Sequence, residues 1–86
     1  MPRISSFHGI VIRMFFEDHQ PPHFHVDYAE HAAVVAIDTL AVVRGSIPRR
    51  QARLVRRWAA LHRAELLANW ERARGDGQLA PIAPLP

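Results

Sequence analysis

The sequence contains no cysteine, which excludes a disulfide framework, a thiolate zinc or iron–sulfur site and a cysteine nucleophile. It has no apolar run near the roughly 18 residues of a membrane-spanning helix and no basic and then apolar leader, so we expect a cytoplasmic protein that does not contact a membrane. Its 86 residues are too few for two cores. We therefore expect one small domain over residues 1–86, with any site in a shallow cleft.

Lysine is absent as well, so all eleven positively charged side chains are arginines. With eight carboxylates and neutral histidines the net charge is +3. The planar guanidinium donates hydrogen bonds in pairs and suits phosphate or carboxylate recognition. A GC-rich coding sequence also favours arginine over lysine. The arginine content by itself therefore identifies no ligand.

Alternating apolar residues predict an antiparallel sheet between residues 9 and 44. Four segments have the β-branched, aromatic or alternating character of strands: 9–16, 23–28, 32–37 and 40–44. The stretch 17–22 contains two prolines and is predicted to be a loop. Because the connections are short, we expect sequential strands to pair as an antiparallel meander of three or four strands.

A single long helix is predicted over residues 48–74. Pro48 suits the first turn, where its missing N–H group does no harm, and the glycines at 75 and 77 end the helix. Apolar residues fall in one broad sector, which we expect to pack on the sheet. The last residues, 79–86, alternate proline with apolar residues and form an extended tail. The fold class is therefore α+β, with one C-terminal helix on a face of the sheet.

The predicted strand 23–28 places His23, His25 and Asp27 on one side, because side chains alternate along a strand. A His-x-His pair suits a divalent metal ion or an acid–base pair. The alternative is structural, with both rings bonded to backbone groups freed by the neighbouring prolines. Periodicity does not decide whether the helix covers this side or the opposite side, which carries Phe24 and Val26.

A second candidate group, His62, Glu65 and Asn69, lies within about 60° on the predicted helix, inside the apolar sector. A buried carboxylate needs a partner. We therefore predict that at least one strand histidine lies within hydrogen-bond distance of this group.

Several arginines gather on the opposite side of the predicted helix, where they offer a track for a phosphate backbone. They are Arg49, Arg53, Arg56, Arg63 and Arg74. No aromatic platform or known nucleic-acid motif accompanies them. A solvated helix surface is therefore the favoured interpretation of this face.

Most of the chain resembles a small bacterial family, domain of unknown function 4160 (DUF4160). The similar segments are 1–12, 18–25, 54–58, 61–62, 65–70 and 81–85. The run Pro21-Pro22-His23-Phe24-His25 is the most specific part. The resemblance implies no catalytic assignment. It does imply a genetic context, namely a neighbouring gene for a second small protein, similar to domain of unknown function 2442 (DUF2442), in an arrangement that resembles a toxin–antitoxin pair.

We therefore predict a toxin-like component of a two-gene module that cleaves RNA without a metal ion or cofactor. The predicted catalytic residues are His23, His25, His62 and Glu65, with the strand histidines as acid and base. The predicted substrate-binding residues are Asn69, Arg13 and Asp27. Two alternatives remain open: a non-catalytic partner of the neighbour-encoded protein, and a histidine-based enzyme that depends on a divalent metal ion.

The predicted tail also suggests association. Leu79, Ile82 and Leu85 follow each other at a spacing of three and line one edge of a polyproline-type helix. A one-helix core also leaves a sheet edge uncovered. We predict a homodimer or a stable complex with the neighbour-encoded protein, and weaker association or folding when residues 79–86 are deleted.

Overall fold

The fold is α+β in the computed structural model, which describes residues 2–75 and 77–86. A sheet of five strands precedes two helices along the chain. The elements are β1 (Arg3–Phe7), β2 (Ile10–Arg13), β3 (His23–Tyr28), β4 (His31–Ala36), β5 (Val42–Ser46), α1 (Arg49–Leu61) and α2 (Arg63–Arg74). The strands lie in the order β1-β2-β3-β4-β5 and every neighbouring pair is antiparallel. This confirms the α+β class and the antiparallel sheet.

The number of strands differs from the prediction of three or four, because the chain before residue 9 also joins the sheet. His8 and Gly9 both have positive φ angles, 50° and 78°, and form a tight turn that folds β1 onto β2. The pairing of β1 with β2 shifts register between Arg3 and Ser5, and the consecutive residues Ile4 and Ser5 are both buried. This irregularity disturbs the alternation by which a strand is recognised. The strand predicted over 9–16 corresponds to β2, which ends at Arg13.

The helices cover the face of the sheet that carries Phe24 and Val26, both of which are fully buried. The Trp58 ring of α1 packs edge-on against Phe24, with ring centroids 5.9 Å apart. Of the two assignments that periodicity allowed, this one leaves His25 and Asp27 on the opposite, open face. The sheet therefore has a dry face under the helices and an accessible face that carries polar side chains.

The predicted single helix over 48–74 is two helices, separated at His62. This residue has φ −122° and ψ 24°, outside the helical region, and its N–H group donates to the carbonyl oxygen of Ala59, three residues earlier. The apolar sector nevertheless continues into α2, where Leu66, Trp70 and Ala73 are buried. Neither helix of the described chain is long and apolar enough to cross a membrane.

The last residues, 77–86, have no regular secondary structure and pack against β1 and both helices. Ile82 and Leu85 are buried, and the Ile82 N–H group donates to the Ile4 carbonyl oxygen at 2.8 Å. The indole N–H group of Trp58 donates to the Ala83 carbonyl oxygen, also at 2.8 Å. This C-terminal segment therefore completes the core of its own chain.

Gly45→Ala is expected to destabilise the protein by about 2 kcal/mol, because an alanine is strained at a positive φ. Gly45 has φ +74°, and a Cβ atom at this position would clash with the Ala32 carbonyl oxygen. Urea unfolding monitored by circular dichroism measures the effect. Gly75→Ala is the control, because its added Cβ meets nothing closer than 3.9 Å. Equal unfolding midpoints for the two variants would contradict the proposed clash.

Candidate functional site

Three side chains converge on one point at the end of the open face. Asp18 lies in the loop between β2 and β3, and its Oδ2 atom is 2.8 Å from His23 Nε2 and 3.3 Å from His25 Nε2. Each residue contributes one ligand-type atom, and these three atoms lie within 4.8 Å of one another. All three side chains are at least three-quarters buried. We call these residues the Asp18 cluster.

Neighbouring groups fix both histidine rings of the Asp18 cluster. His23 Nδ1 donates to the Pro21 carbonyl oxygen at 2.7 Å, and its ring packs against Trp70 with centroids 5.0 Å apart. The His25 ring stacks on Phe15, with centroids 4.0 Å apart and an interplanar angle of 6°. A carbonyl oxygen only accepts hydrogen bonds. His23 Nδ1 is therefore the donor to Pro21, and Nε2 is the ring nitrogen that faces Asp18.

Asp18 is held as an anion. Burial by itself raises the pKa of this carboxyl group. Hydrogen bonds from His25, from the backbone N–H group of His19 and from His23, together with the charge of His23, outweigh burial and lower the pKa to about 2. The carboxylate is thus available at neutral pH to hold a positive charge.

The Asp18 cluster opens into a pocket of about 390 Å³ on the open face. Phe15 and Val43 line this pocket, and Arg44 of β5 places a positive charge at its border. A shallower neighbouring pocket of about 160 Å³ shares Phe15, His25 and Arg44 with it. Together the two pockets give the cluster an accessible groove lined by two guanidinium groups, those of Arg44 and Arg13.

The predicted substrate-binding residues Arg13 and Asp27 lie beside this groove and bind each other. Arg13 Nε donates to Asp27 Oδ2 at 2.9 Å, and Arg13 is paired with His25 across the β2–β3 ladder. Both side chains are more than a third exposed. They line the shallower pocket, and their role in substrate binding stays a prediction.

The helix group lies apart from the strand histidines. His62 Nδ1 and Glu65 Oε1 are 2.5 Å apart, and the Glu65 side chain is half exposed. Asn69 is fully buried but bonds to Ala80 and Arg72. Among the described residues, no hydrogen bond joins these three residues to the strand histidines.

The predicted contact between the two groups is therefore wrong. The physical reason is that the helices cover the face of Phe24 and Val26, and that α2 meets His23 through Trp70 rather than through this group. Glu65 lies at the margin of the apolar sector, about 100° from Leu66. The catalytic roles predicted for His62 and Glu65 and the substrate contact predicted for Asn69 lose their link to the histidines. They stay predictions for a separate patch.

Sequence reasoning assigned Asp18, Phe15 and Arg44 no part in the site. The usable signal for Asp18 is a carboxylate five residues before a His-x-His strand, across a loop with two prolines. In the structure this loop returns beside β3 and brings Asp18 to both rings. Phe15 and Arg44 follow no comparable pattern.

Residues 9–71 match the model of a family described as Domain of unknown function (DUF4160). The chain belongs to the DUF4160 family. No curated protein and no solved structure matches it. In this DUF4160 chain the matched range contains the whole Asp18 cluster, whereas β1 and the segment 77–86 lie outside it.

Proposed function

We propose that this protein binds a divalent metal ion through Asp18, His23 and His25 and uses it to hydrolyse a phosphodiester bond in RNA. The observation that carries the proposal is the convergence of one carboxylate oxygen and two imidazole Nε2 atoms within 4.8 Å of one another. Two histidines and a carboxylate form a common ligand set of catalytic zinc sites, which keep a further position for water.

The distances within the cluster are close to those of a metal site, with one pair slightly shorter than the usual ligand separation. Zinc ligands at about 2.0–2.1 Å from the metal lie roughly 3–3.5 Å from one another. The Asp18 oxygen is 2.8 Å from one imidazole nitrogen and 3.3 Å from the other. The hydrogen bond from His23 Nδ1 to the Pro21 carbonyl oxygen is the type of second contact that orients a metal-binding histidine.

The same contacts disfavour the metal-free mechanism predicted from the sequence. An acid–base pair needs a nitrogen of each ring to reach the substrate. Both nitrogens of His23 already have partners, Pro21 and Asp18, and the residue is 8% exposed. A cation bound between the carboxylate and the two rings would use these same atoms after a shift of a few tenths of an ångström.

The groove offers a positively charged side chain to an anionic substrate. Arg44 borders both pockets and has no carboxylate partner among residues 2–75 and 77–86, so it is available to bind a phosphate oxygen. A divalent cation held by Asp18, His23 and His25 would polarise the phosphoryl group and lower the pKa of a water molecule to about 7. Hydrolysis would join the water oxygen to phosphorus and break the P–O bond to the leaving alcohol, and a proton of the water would pass to the leaving oxygen.

The wider biological role follows from the family resemblance. We expect a toxin-like component that acts in the cytoplasm, paired with a neighbour-encoded protein similar to DUF2442. Its association as a homodimer or as a complex with that protein stays a prediction. The alternative, a non-catalytic partner, predicts association without hydrolysis, and the experiment below separates the two.

Isothermal titration with Zn²⁺ is expected to show one site per chain. His25→Ala is expected to weaken binding about 100-fold, because one of three ligands is lost. His31→Ala is the control, since His31 starts β4 and lies outside the Asp18 cluster, with its Nε2 atom 3.8 Å from Glu30. Equal zinc affinity in wild type and His25→Ala would remove the metal site.

Cleavage of a labelled single-stranded RNA, with Zn²⁺ or Mn²⁺ present, tests the reaction. We expect EDTA to abolish cleavage, added metal to restore it, and Asp18→Asn to lack it while keeping the circular dichroism spectrum of wild type. Cleavage that persists in EDTA and requires His25 would favour the metal-free acid–base mechanism. Zinc binding without cleavage would support the metal site and contradict the proposed hydrolysis of RNA.

A further inference from the structure

A second surface lies between α1 and the β4–β5 edge of the sheet, and it combines an apolar floor with positive charge. The groove has a volume of about 240 Å³. Its floor is aliphatic and includes Val35, Leu40, Val42 and Ile47. Arginine side chains at three positions of α1 form its rim: Arg49, Arg53 and Arg56. It shares no lining residue with the pocket of the Asp18 cluster, so it is independent of the proposed hydrolysis.

The charge on this rim is not neutralised within the described part of the chain. The helix α1 contains five arginines and no acidic residue. In residues 2–75 and 77–86 the only arginine in a salt bridge is Arg13, which lies on the other face of the sheet. Positions 49, 53 and 56 are spaced by four and three residues, which places their side chains along one side of the helix.

We infer that this groove binds an acidic segment of a partner protein, whose apolar side chains enter the groove and whose carboxylates pair with the arginine rim. Guanidinium and carboxylate groups form paired hydrogen bonds that add strength and orientation. Val42 is 43% exposed and gives the segment an apolar contact. The strand β5 is at the edge of the sheet, so that an extended segment can also reach its free backbone groups.

The lining favours a protein partner over RNA. Surfaces that bind single-stranded RNA combine positive charge with aromatic rings on which bases stack. The described residues that line this groove have only aliphatic and arginine side chains. An aliphatic floor gives an unpaired base no stacking contact, whereas leucine or valine side chains of a peptide bury apolar surface there.

Fluorescence anisotropy with a labelled synthetic peptide tests this inference. The probe has three leucines separated by pairs of glutamates, and two matched peptides carry lysine for glutamate or serine for leucine. We expect only the first peptide to bind. Arg53→Glu combined with Arg56→Glu is expected to weaken binding at least about tenfold. Arg74→Glu combined with Arg3→Glu is the control of equal charge change, on α2 and β1.

The apolar part of the groove has its own matched pair of variants on neighbouring residues of β5. Val42 lines the groove and Val43 lines the other pocket, and both are exposed. Val42→Ser is expected to weaken peptide binding several-fold, and Val43→Ser to leave it unchanged. Equal binding of the serine-containing peptide would show unspecific attraction of charge and overturn the inference. Failure of the glutamate–leucine peptide to bind would also overturn the inference. So would binding of a labelled single-stranded RNA that is weakened by the rim arginine variants and unchanged by Val42→Ser.

Discussion

Deletion of residues 79–86 is expected to unfold most of the protein. The segment contributes two buried side chains, Ile82 and Leu85, whose burial is worth about 1.5–3 kcal/mol each. Its removal also exposes Trp58 and takes away the acceptor of the indole N–H group. The expected loss of about 5 kcal/mol is similar to the whole stability of many small domains. Far-UV circular dichroism and amide dispersion in NMR spectra measure the folded fraction.

Two variants of the full-length chain separate the effect of losing a buried side chain from the effect of shortening the chain. Ile82→Ala is expected to cost about 2–4 kcal/mol, because it leaves a cavity in the core. Pro84→Ala changes an exposed residue of the same segment and is expected to cost less than about 1 kcal/mol. A truncated protein with the native spectrum and an unchanged urea midpoint would show that the segment only rests on the surface.

Asn69→Asp is expected to destabilise the protein by about 3 kcal/mol at pH 7, although the two side chains have the same shape. The Asn69 Nδ2 group donates to the Ala80 carbonyl oxygen at 2.8 Å, and its Oδ1 atom accepts from the Ala80 N–H group at 2.9 Å. Asn69 is fully buried. An aspartate there directs a carboxylate oxygen at the carbonyl oxygen, and an unpaired buried polar group costs about 1–3 kcal/mol, more when it is charged.

This cost depends on pH with a defined sign. Burial raises the pKa of a carboxyl group above its unfolded value, whereas the Arg72 guanidinium, 2.9 Å from Oδ1, lowers it. We expect burial and the facing Ala80 carbonyl oxygen to outweigh Arg72, so the folded variant loses stability as the pH rises through the carboxyl range and regains it below that range. Unfolding at pH 4 and pH 7 measures the difference. Gln78→Glu is the control, since it makes the same chemical change at an exposed position. Identical pH dependence in the two variants would contradict the buried hydrogen bonds of Asn69.

The local features of the site follow from the sequence. His23 and His25 share an orientation because side chains alternate along a strand, and the two-residue spacing was sufficient to predict their proximity. The apolar sector that buries Leu66, Trp70 and Ala73 also follows from helical periodicity. The irregular strand β1 could not be predicted from the sequence, because its register shift breaks the alternation at Ile4 and Ser5.

The tertiary structure decided which face of the sheet is covered and which residue joins the histidines. Both faces of β3 alternate equally well, and the packing of Trp58 on Phe24 selects one of them. Asp18 reaches the two rings through the path of the loop between β2 and β3, a path that no periodicity encodes. Alternation is a local property of the backbone, whereas these contacts join residues from separate segments and exist only once the core has formed.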